Sequence, residues 1–343
     1  MTAILTYKFR VKDATTAKHL NRMAGTANFV WNYCNETSAL AWGRDRKWLT
    51  WVDMIRLVTG SSKELDMLAH SINRIAIEHA EKRSQHKRSK LRWRSSKKSL
   101  GWVPFPGEGV KVDGDRFRYN GRWYRFWRSR EIQGKVKAGC FVQDARRRWY
   151  VCFQCEAPIA EPTTSENKVG IDLGFKDQVV CSDGQKFSRE NQTRKHAQRL
   201  ATAQRAKNKK QVANVHAKIA NARRDWANKV STQLVKSNSM IVVGNVSSKA
   251  MIAKGKGFAK SALDASWYQF KAMLLYKASR HGVAFREINE AWSTVTCSTC
   301  SERSGPSGLR ALGVREWGCT GCGTLHDRDV NAARNILQFA LSG

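Results

Sequence analysis

Two cysteine pairs near the C-terminal end constrain the fold of this chain more tightly than any other feature. Cys297-Ser-Thr-Cys300 and Cys319-Thr-Gly-Cys322, eighteen residues apart, have the spacing of a four-thiolate zinc site. Each CxxC turn aims two sulfurs at one point, and a tetrahedral Zn2+ about 2.3 Å from each sulfur joins the two knuckles. A redox CxxC fits poorly, because two such pairs occur and neither sits in a thioredoxin-like pattern. With all four positions taken by protein no open position remains, so the expected zinc is structural. Cys152-Phe-Gln-Cys155 has the same spacing but falls in an alternating, strand-like stretch where residues three apart face opposite sides. That pair, with Cys34, Cys140 and Cys181, reads as packing thiols.

Sixty-one Lys and Arg stand against 28 Asp and Glu, a net charge of +33. Such an excess repels itself in any compact monomer, and its usual physical reason is a polyanionic partner. Charge alone names that class and no activity, since a ribosomal or nucleoid protein is equally basic. Segment 82–98 is nearly all basic or small polar, and 194–224 adds a second basic stretch. Trp93 sits in the first run, and Trp123, Tyr124, Phe126 and Trp127 follow Arg122. Singly these rings read equally as core; together with the charges they fit a path where aromatic faces stack on bases. The N-terminal MTAILTYKFRVKD lacks a signal-peptide pattern, no apolar run has bilayer length, and the cysteine usage suits a reducing compartment. A cytoplasmic protein with no membrane partner is expected.

Residues 3–11 alternate as a strand, and Ala14 to about Lys90 turns to helical spacing. Segment 109–156 is rich in Val, Phe, Tyr and Trp, and its Asp-Gly and Asn-Gly pairs signal hairpins. A small antiparallel barrel or sheet completed by the N-terminal strand, with the helical block inserted, is the expected first half. After the linker APIAEPTTSEN, VGIDLGFKDQVVCSDGQKF reads as three strands. A long helical region follows, with Val215, Ile219, Ala222, Trp226 and Val230 on its core stripe. Then come a buried strand at 240–246, a helix around 262–280, a strand at 283–290 and a last helix, DVNAARNILQFAL. Strands alternating with helices give an α/β core. There is no internal repeat.

Acidic residues at strand ends and helix starts are the other chemical signal. Phosphodiester hydrolysis by two Mg2+ about 3.5–4 Å apart needs carboxylates converging from separate segments. Asp172 ends the strand VGID and Asp329 begins the last helix, with Asp327 beside it. Read alone, Asp172 is equally a turn former and Asp329 equally a helix N-cap.

IDLG with its strand hairpin, HAKIANARRDWANKVSTQLV, the paired CxxC knuckles and HDRDVNAARNIL together resemble the TnpB family. These are RuvC-type nucleases of insertion sequences, related to compact type V CRISPR effectors. The resemblance is specific over about 166–340 and looser in YKFRV, NFVWNY and GKVKAGCFVQDARRRWYVCF. It implies a bilobed protein. A wedge-like β-barrel (1–13 and 100–160) and a helical recognition domain (14–99) would form one lobe. An RNase H-like RuvC nuclease (166–343) with a zinc-ribbon insert (291–327) would form the other. It further implies a guide RNA from the transposon end and a double-stranded DNA target with a short flanking motif read by protein. A bacterial setting and no obligate protein partner complete the implied picture.

The family motif places the first carboxylate at Asp172 and the last at Asp329. Most members carry a Glu directly after the strand that here reads MIVV, where this chain has Gly244, a residue that with Asn245 is also a plain turn signal. Some members resemble this chain in a Glu-Ala-aromatic-Ser/Thr segment before the first CxxC, here Glu290-Ala-Trp-Ser. Asp172, Glu290 and Asp329 would then hold two Mg2+, with Glu287 as the fallback and Arg328 either at the scissile phosphate or on the surface. The rival expectations are a nuclease-dead guided repressor, a transposase acting without RNA, and a CRISPR-associated effector.

Overall fold

The computed structural model describes residues 2–12, 14–108, 110–159, 165–246, 265–308, 311 and 313–342. The middle of the linker and the start of the helix expected at 262 lie outside them. The protein is mixed α/β with several sheets and divides into two compact units, Met1–Pro158 and Ile159–Gly343.

In the first unit, β1 (Thr2–Arg10) leads into α1 (Ala14–Asp45), α2 (Trp51–Val58) and α3 (Ala69–His86), and the chain returns as six strands. These are β2 (Trp102–Pro106), β3 (Lys111–Asp113), β4 (Arg116–Tyr119), β5 (Arg122–Arg125), β6 (Lys135–Gln143) and β7 (Trp149–Pro158). They form an antiparallel sheet in the order β1-β7-β6-β2 and a three-stranded one in the order β3-β4-β5, joined by a bridge between Val11 and Phe126. The hairpin signals hold with a shift at the first. The β4–β5 loop is Asn120-Gly121 with both φ positive, as a type I′ turn requires, whereas the β3–β4 loop is Gly114-Asp115, with the positive φ on Gly114 alone. Phe9, Phe105, Phe117, Phe126, Phe141 and Phe153 fill the space between the sheets. Each ring meets another of the six at 5.1–5.9 Å between centroids, within the range that favours tilted and edge-on pairs.

The basic run after α3 is not free chain. Asn28, Asn32 and Asn35 project from one side of α1. Asn32 and Asn35 each exchange two hydrogen bonds with the backbone of Arg94 and Leu91, and Asn28 Oδ1 accepts from Arg94 Nε at 2.8 Å. The cationic segment is thereby pinned along the helix as if it were a strand. Beside it runs a groove of about 930 Å3 whose lining includes Trp31, Lys82, Arg88, Trp93, Arg94 and Trp102.

The second unit holds a five-stranded sheet in the order β10-β9-β8-β11-β12. Its strands are β8 (Lys168–Asp172), β9 (Asp177–Cys181), β10 (Lys186–Ser188), β11 (Met240–Gly244) and β12 (Ala284–Ile288). β8, β11 and β12 are parallel, and β8–β9–β10 are antiparallel. Three helical stretches, α4 (Gln192–Lys195), α5 (Ala197–Arg205) and α6 (Lys209–Ser237), separate β10 from β11, α7 (Trp267–Arg280) precedes β12, and α8 (Arg328–Ser342) follows a hairpin of β13 (Glu316–Gly318) and β14 (Leu325–Asp327). β11 is buried along its whole length, as a central parallel strand covered on both faces must be. Ile241 and Val243 pack with Val230, Leu234, Phe270 and Leu274 of α6 and α7, whereas Met240 and Val242 pack with Ile336 and Ala340 of α8. Val215, Ile219 and Val230 of the expected stripe are buried. Cys155 is buried while Cys152 faces the other way, half-buried opposite Cys140; Cys34 and Cys181 are buried. Among the described residues, no helix is long and apolar enough to cross a membrane.

His79 on α3 is fully buried, edge-on to Trp31 at 5.0 Å between centroids. Burial, then the charge of Arg83, pushes its pKa down to about 4 from 6.5. The folded unit therefore binds this proton less readily than the unfolded chain does. Stability from the neutral ring is fully present above about pH 6.5 and is lost as pH falls toward about 4, by an amount on the order of 3 kcal/mol. Denaturant titrations across that window are expected to show the step, and His79→Leu is expected to remove it; an unchanged pH slope in the variant would assign the step to another group.

Candidate functional site

The period of two along the parallel strands decides what their ends present. On β8, Val169 and Ile171 belong to the core with α6 and α7, while Gly170 lies against the backbone of α8. Asp172, two residues beyond Gly170, leaves the strand on the α8 side. On β11 the same count places Gly244 on the side of Met240 and Val242, again toward α8. Asp329 lies in the first turn of α8.

Glu290 reaches this place by a route the sequence does not display. β12 ends at Ile288, so Glu290 stands two residues past the strand rather than at its end, as the run 283–290 suggests. Its side chain lies over Gly244: a Cβ on that glycine would overlap Glu290 Oε2 and sit 3.0 Å from Glu290 Cβ and 3.1 Å from Cδ. Oε2 is buried with no hydrogen-bond partner. Burial raises the Glu290 carboxyl above its ordinary range, against the Val246 backbone N–H and the charge of Lys271, with Glu287 adding to the rise. The Asp172 carboxyl is pushed up to about 7, first by burial and then by the neighbouring charges of Asp329 and Glu290, with Arg328 opposing. Glu290 and Asp329 are therefore near enough to Asp172 for their charges to act on its carboxyl, although the three carboxylates are not gathered within 4.8 Å of one another as the four cysteines are.

Glu287 belongs to the opposite parity of β12 and pairs with Lys271 of α7 at 2.5 Å. The helix-capping role open to Asp329 in the sequence falls to Asp327, whose Oδ1 accepts from the N–H groups of Asp329 and Val330 at 3.1 and 2.9 Å. Its other oxygen takes Lys186 at 2.5 Å. The Asp329 carboxylate pairs instead with Arg315 at 3.0 Å. Arg328 turns inward and donates to the Ala311 carbonyl at 2.9 Å.

The four knuckle cysteines also meet. Their sulfurs all lie within 4.8 Å of one another, with Cys297–Cys322 at 3.7 Å and Cys300–Cys319 at 3.6 Å. A tetrahedron of about 2.3 Å metal–sulfur bonds has edges of about 3.8 Å, so the cluster is compatible with zinc. Ser301 and Gly323, one residue beyond each CxxC, both have positive φ, and each knuckle closes by a backbone bond to its first cysteine carbonyl at 2.9 Å. His326 Nε2 lies 3.0 Å from Cys297 Sγ.

Sequence reasoning missed the residues that hold these parts together. Asn331 and Asn335 are fully buried on one face of α8, and both donate to the carbonyls of Ser293 and Thr296, while Asn331 Oδ1 accepts from Ser298 N–H at 2.9 Å. The helix that carries Asp329 therefore also fixes the loop between Glu290 and the first knuckle. The signal was a pair of short amides at i, i+4 on one side of α8, the side that also carries Gln338.

Residues 150–254 match the OrfB family of IS605, described as "Probable transposase", and residues 267–336 match the Cas12f1-like TNB domain. A Streptomyces pristinaespiralis protein described as "Putative RNA-guided DNA endonuclease" is 30% identical over 368 residues, covering 98% of this chain and 89% of its own length. The chain belongs to the TnpB family. The InsQ protein of Escherichia coli (strain K12), which carries the same description, is 27% identical, with 98% of this chain and 92% of InsQ covered. The fold resembles the Cas12f1 chain of a cryo-EM complex with sgRNA and target DNA, at a TM-score of 0.65, 11% identity and 98% of both chains covered. Within this TnpB-family chain the first match spans Asp172 and Gly244, and the second spans Glu290, the four cysteines and Asp329.

Asn335→Ala removes one of the two amide donors to each of these carbonyls and leaves Asn331 on both, a cost of about 0.5–1.5 kcal/mol. The variant is expected to unfold more easily by that amount and to exchange amide hydrogens faster between Trp292 and Ser298; unchanged exchange there would remove the clamp role.

Proposed function

We propose that this protein is an RNA-guided DNA endonuclease of an insertion sequence, cutting target DNA by metal-assisted phosphodiester hydrolysis. The observation that carries the reading is the Glu290 carboxylate lying over Gly244, within electrostatic reach of Asp172 as Asp329 is. It supports a complete set of three acids where the family's usual second Glu is absent, and so favours a nuclease over a guided repressor. The relatives' descriptions as RNA-guided DNA endonucleases support the same reaction.

The donor set fits Mg2+: three hard carboxylates, one of them with an orphaned buried oxygen. Asp172, Glu290 and Asp329 would hold two such ions, which supply water activation and neutralise charge at the phosphate. The chain's own part is placement. The strand ends fix Asp172, the α8 first turn fixes Asp329, and the Asn331–Asn335 clamp fixes the loop behind Glu290. Arg315 and Lys186 hold countercharge beside the acids. Cys297, Cys300, Cys319 and Cys322 hold a structural zinc in a ribbon over 291–327, inserted in a RuvC, RNase H-like domain over 166–343. Residues 1–13 and 100–160 form the wedge-like barrel and 14–99 the recognition domain of a bilobed molecule. The guide RNA, derived from the transposon end, follows the pinned basic segment and its Trp-lined groove. Double-stranded DNA carrying a short flanking motif is the target, and the bacterial cytoplasm is the setting.

Sequencing RNA that co-purifies with the protein, then assaying a matching duplex with and without Mg2+, tests the reading. Discrete RNA and Mg2+-dependent cutting are expected; a guide-loaded wild type that binds the duplex without cutting it points to the repressor. Changes in groups merely supporting metal ligands cost about 10- to 100-fold, so Asp172→Asn, Glu290→Gln and Asp329→Asn are each expected to lose more. One zinc per chain is expected by metal analysis, lost in Cys319→Ser together with the fold of 291–327; a zinc-free, fully folded wild type would contradict the ribbon.

A further inference from the structure

The crowding between Gly244 and Glu290 has a direction. A Cβ on Gly244 would find Glu290 Oε2, Cβ and Cδ as its three nearest neighbours, with no backbone among them. Gly244 also has an ordinary negative-φ conformation, which any residue adopts. Neither backbone strain nor core packing therefore demands glycine at the end of β11. What demands it is the carboxylate lying on it.

The same glycine limits where that carboxylate can go. Gly244 pairs in register with Ile288 on the parallel neighbour, and Asn245 N–H bonds to the Ile288 carbonyl at 2.9 Å, so the two strand ends are locked side by side. Glu290 leaves the next strand two residues later, and its side chain must cross back over β11 to reach the acids. Lys271 Nζ, 3.1 Å from the Val246 carbonyl and 2.5 Å from Glu287, stands on the neighbouring backbone.

We infer that Gly244 is a positioning residue for the metal site: its missing side chain is the seat of the Glu290 carboxylate, so that 244 and 290 form a complementary pair in which one must be bare for the other to function. The inference rests on the proposed nuclease reading and adds a requirement to it. A single methyl at 244 displaces the carboxylate. A misplacement of about 1 Å costs on the order of 100-fold in rate, and loss of support for a ligand costs about 10- to 100-fold in metal affinity.

The test uses full-length protein loaded with its guide RNA and four forms: wild type, Gly244→Ala, Glu290→Gly and the double variant Gly244→Glu/Glu290→Gly. Two quantities are read, Mn2+ binding followed by electron paramagnetic resonance and cleavage of a matched duplex, with thermal melting as the fold control. Gly244→Ala is expected to melt as wild type does, yet to bind Mn2+ about tenfold more weakly and cleave on the order of 100-fold more slowly. The double variant, with its carboxylate supplied from the seat itself, is expected to recover Mn2+ binding and cleavage well above Glu290→Gly. Wild-type Mn2+ binding and cleavage in Gly244→Ala would overturn the inference while leaving the nuclease reading intact. So would a double variant no better than Glu290→Gly while both melt as wild type does. If Glu290→Gly itself cleaves and binds Mn2+ normally, the assignment of Glu290 fails, and the seat with it.

Discussion

The second unit is organised by how closely α8 approaches the sheet. At Gly170 the helix backbone lies directly on β8: a Cβ there would overlap the Ala333 carbonyl oxygen and come within 2.8 Å of Leu337 Cβ and N. Any larger residue at 170 would lift the helix, and with it everything the helix carries. Asp329 at its first turn, the Asn331–Asn335 clamp along its buried face, and Gln338 and Ala340 near its end, bonded to Ser298 and Arg286, all depend on that one contact. The spacing between Asp172 and Asp329 is thus set by backbone packing rather than by the acids, which repel one another.

That repulsion explains the distribution of basic groups around the site. Bringing Glu290 and Asp329 up to a buried Asp172 raises the Asp172 carboxyl, so unaided convergence is unfavourable. The chain answers with a cation on one of the acids, Arg315 on Asp329, and with cations on residues beside the site, Lys186 on Asp327 and Lys271 on Glu287. Each pair is partly exposed and individually weak. Their value is in place-holding, since they anchor the surroundings while leaving the Glu290 Oε2 without a partner.

Features whose cause lies within a few residues were legible in the sequence. The hairpins at 113–116 and 119–122, the buried stripe of α6 and the convergence of the two CxxC turns all follow from local geometry. Even there, the turn at 113–116 shifted by one residue, because Gly114 and not Asp113 takes the left-handed conformation. Asp172 stood out as an acid ending an apolar strand. The division of labour between Asp327 and Asp329 did not, since it turns on which backbone N–H groups one side chain faces at the start of α8. Nor did the role of Asn331 and Asn335, whose partners lie more than 30 residues away in sequence.

Glu290 is the sharpest case, because its position depends on strand order. Parallel strands end on the same edge of a sheet, and neighbours lie only about 4.8 Å apart. An acid just past the end of β12 and an acid at the end of β11 can therefore serve one point, because Glu has enough methylenes to cross that gap. Sequence separation between 244 and 290 conceals this closeness, while the order β8-β11-β12 makes it unavoidable. A three-acid site on such an edge constrains the place of each carboxylate far more than the strand that delivers it. Moving the donor to the neighbouring strand leaves one steric condition behind, that the vacated position stay small enough for the incoming chain to lie across it.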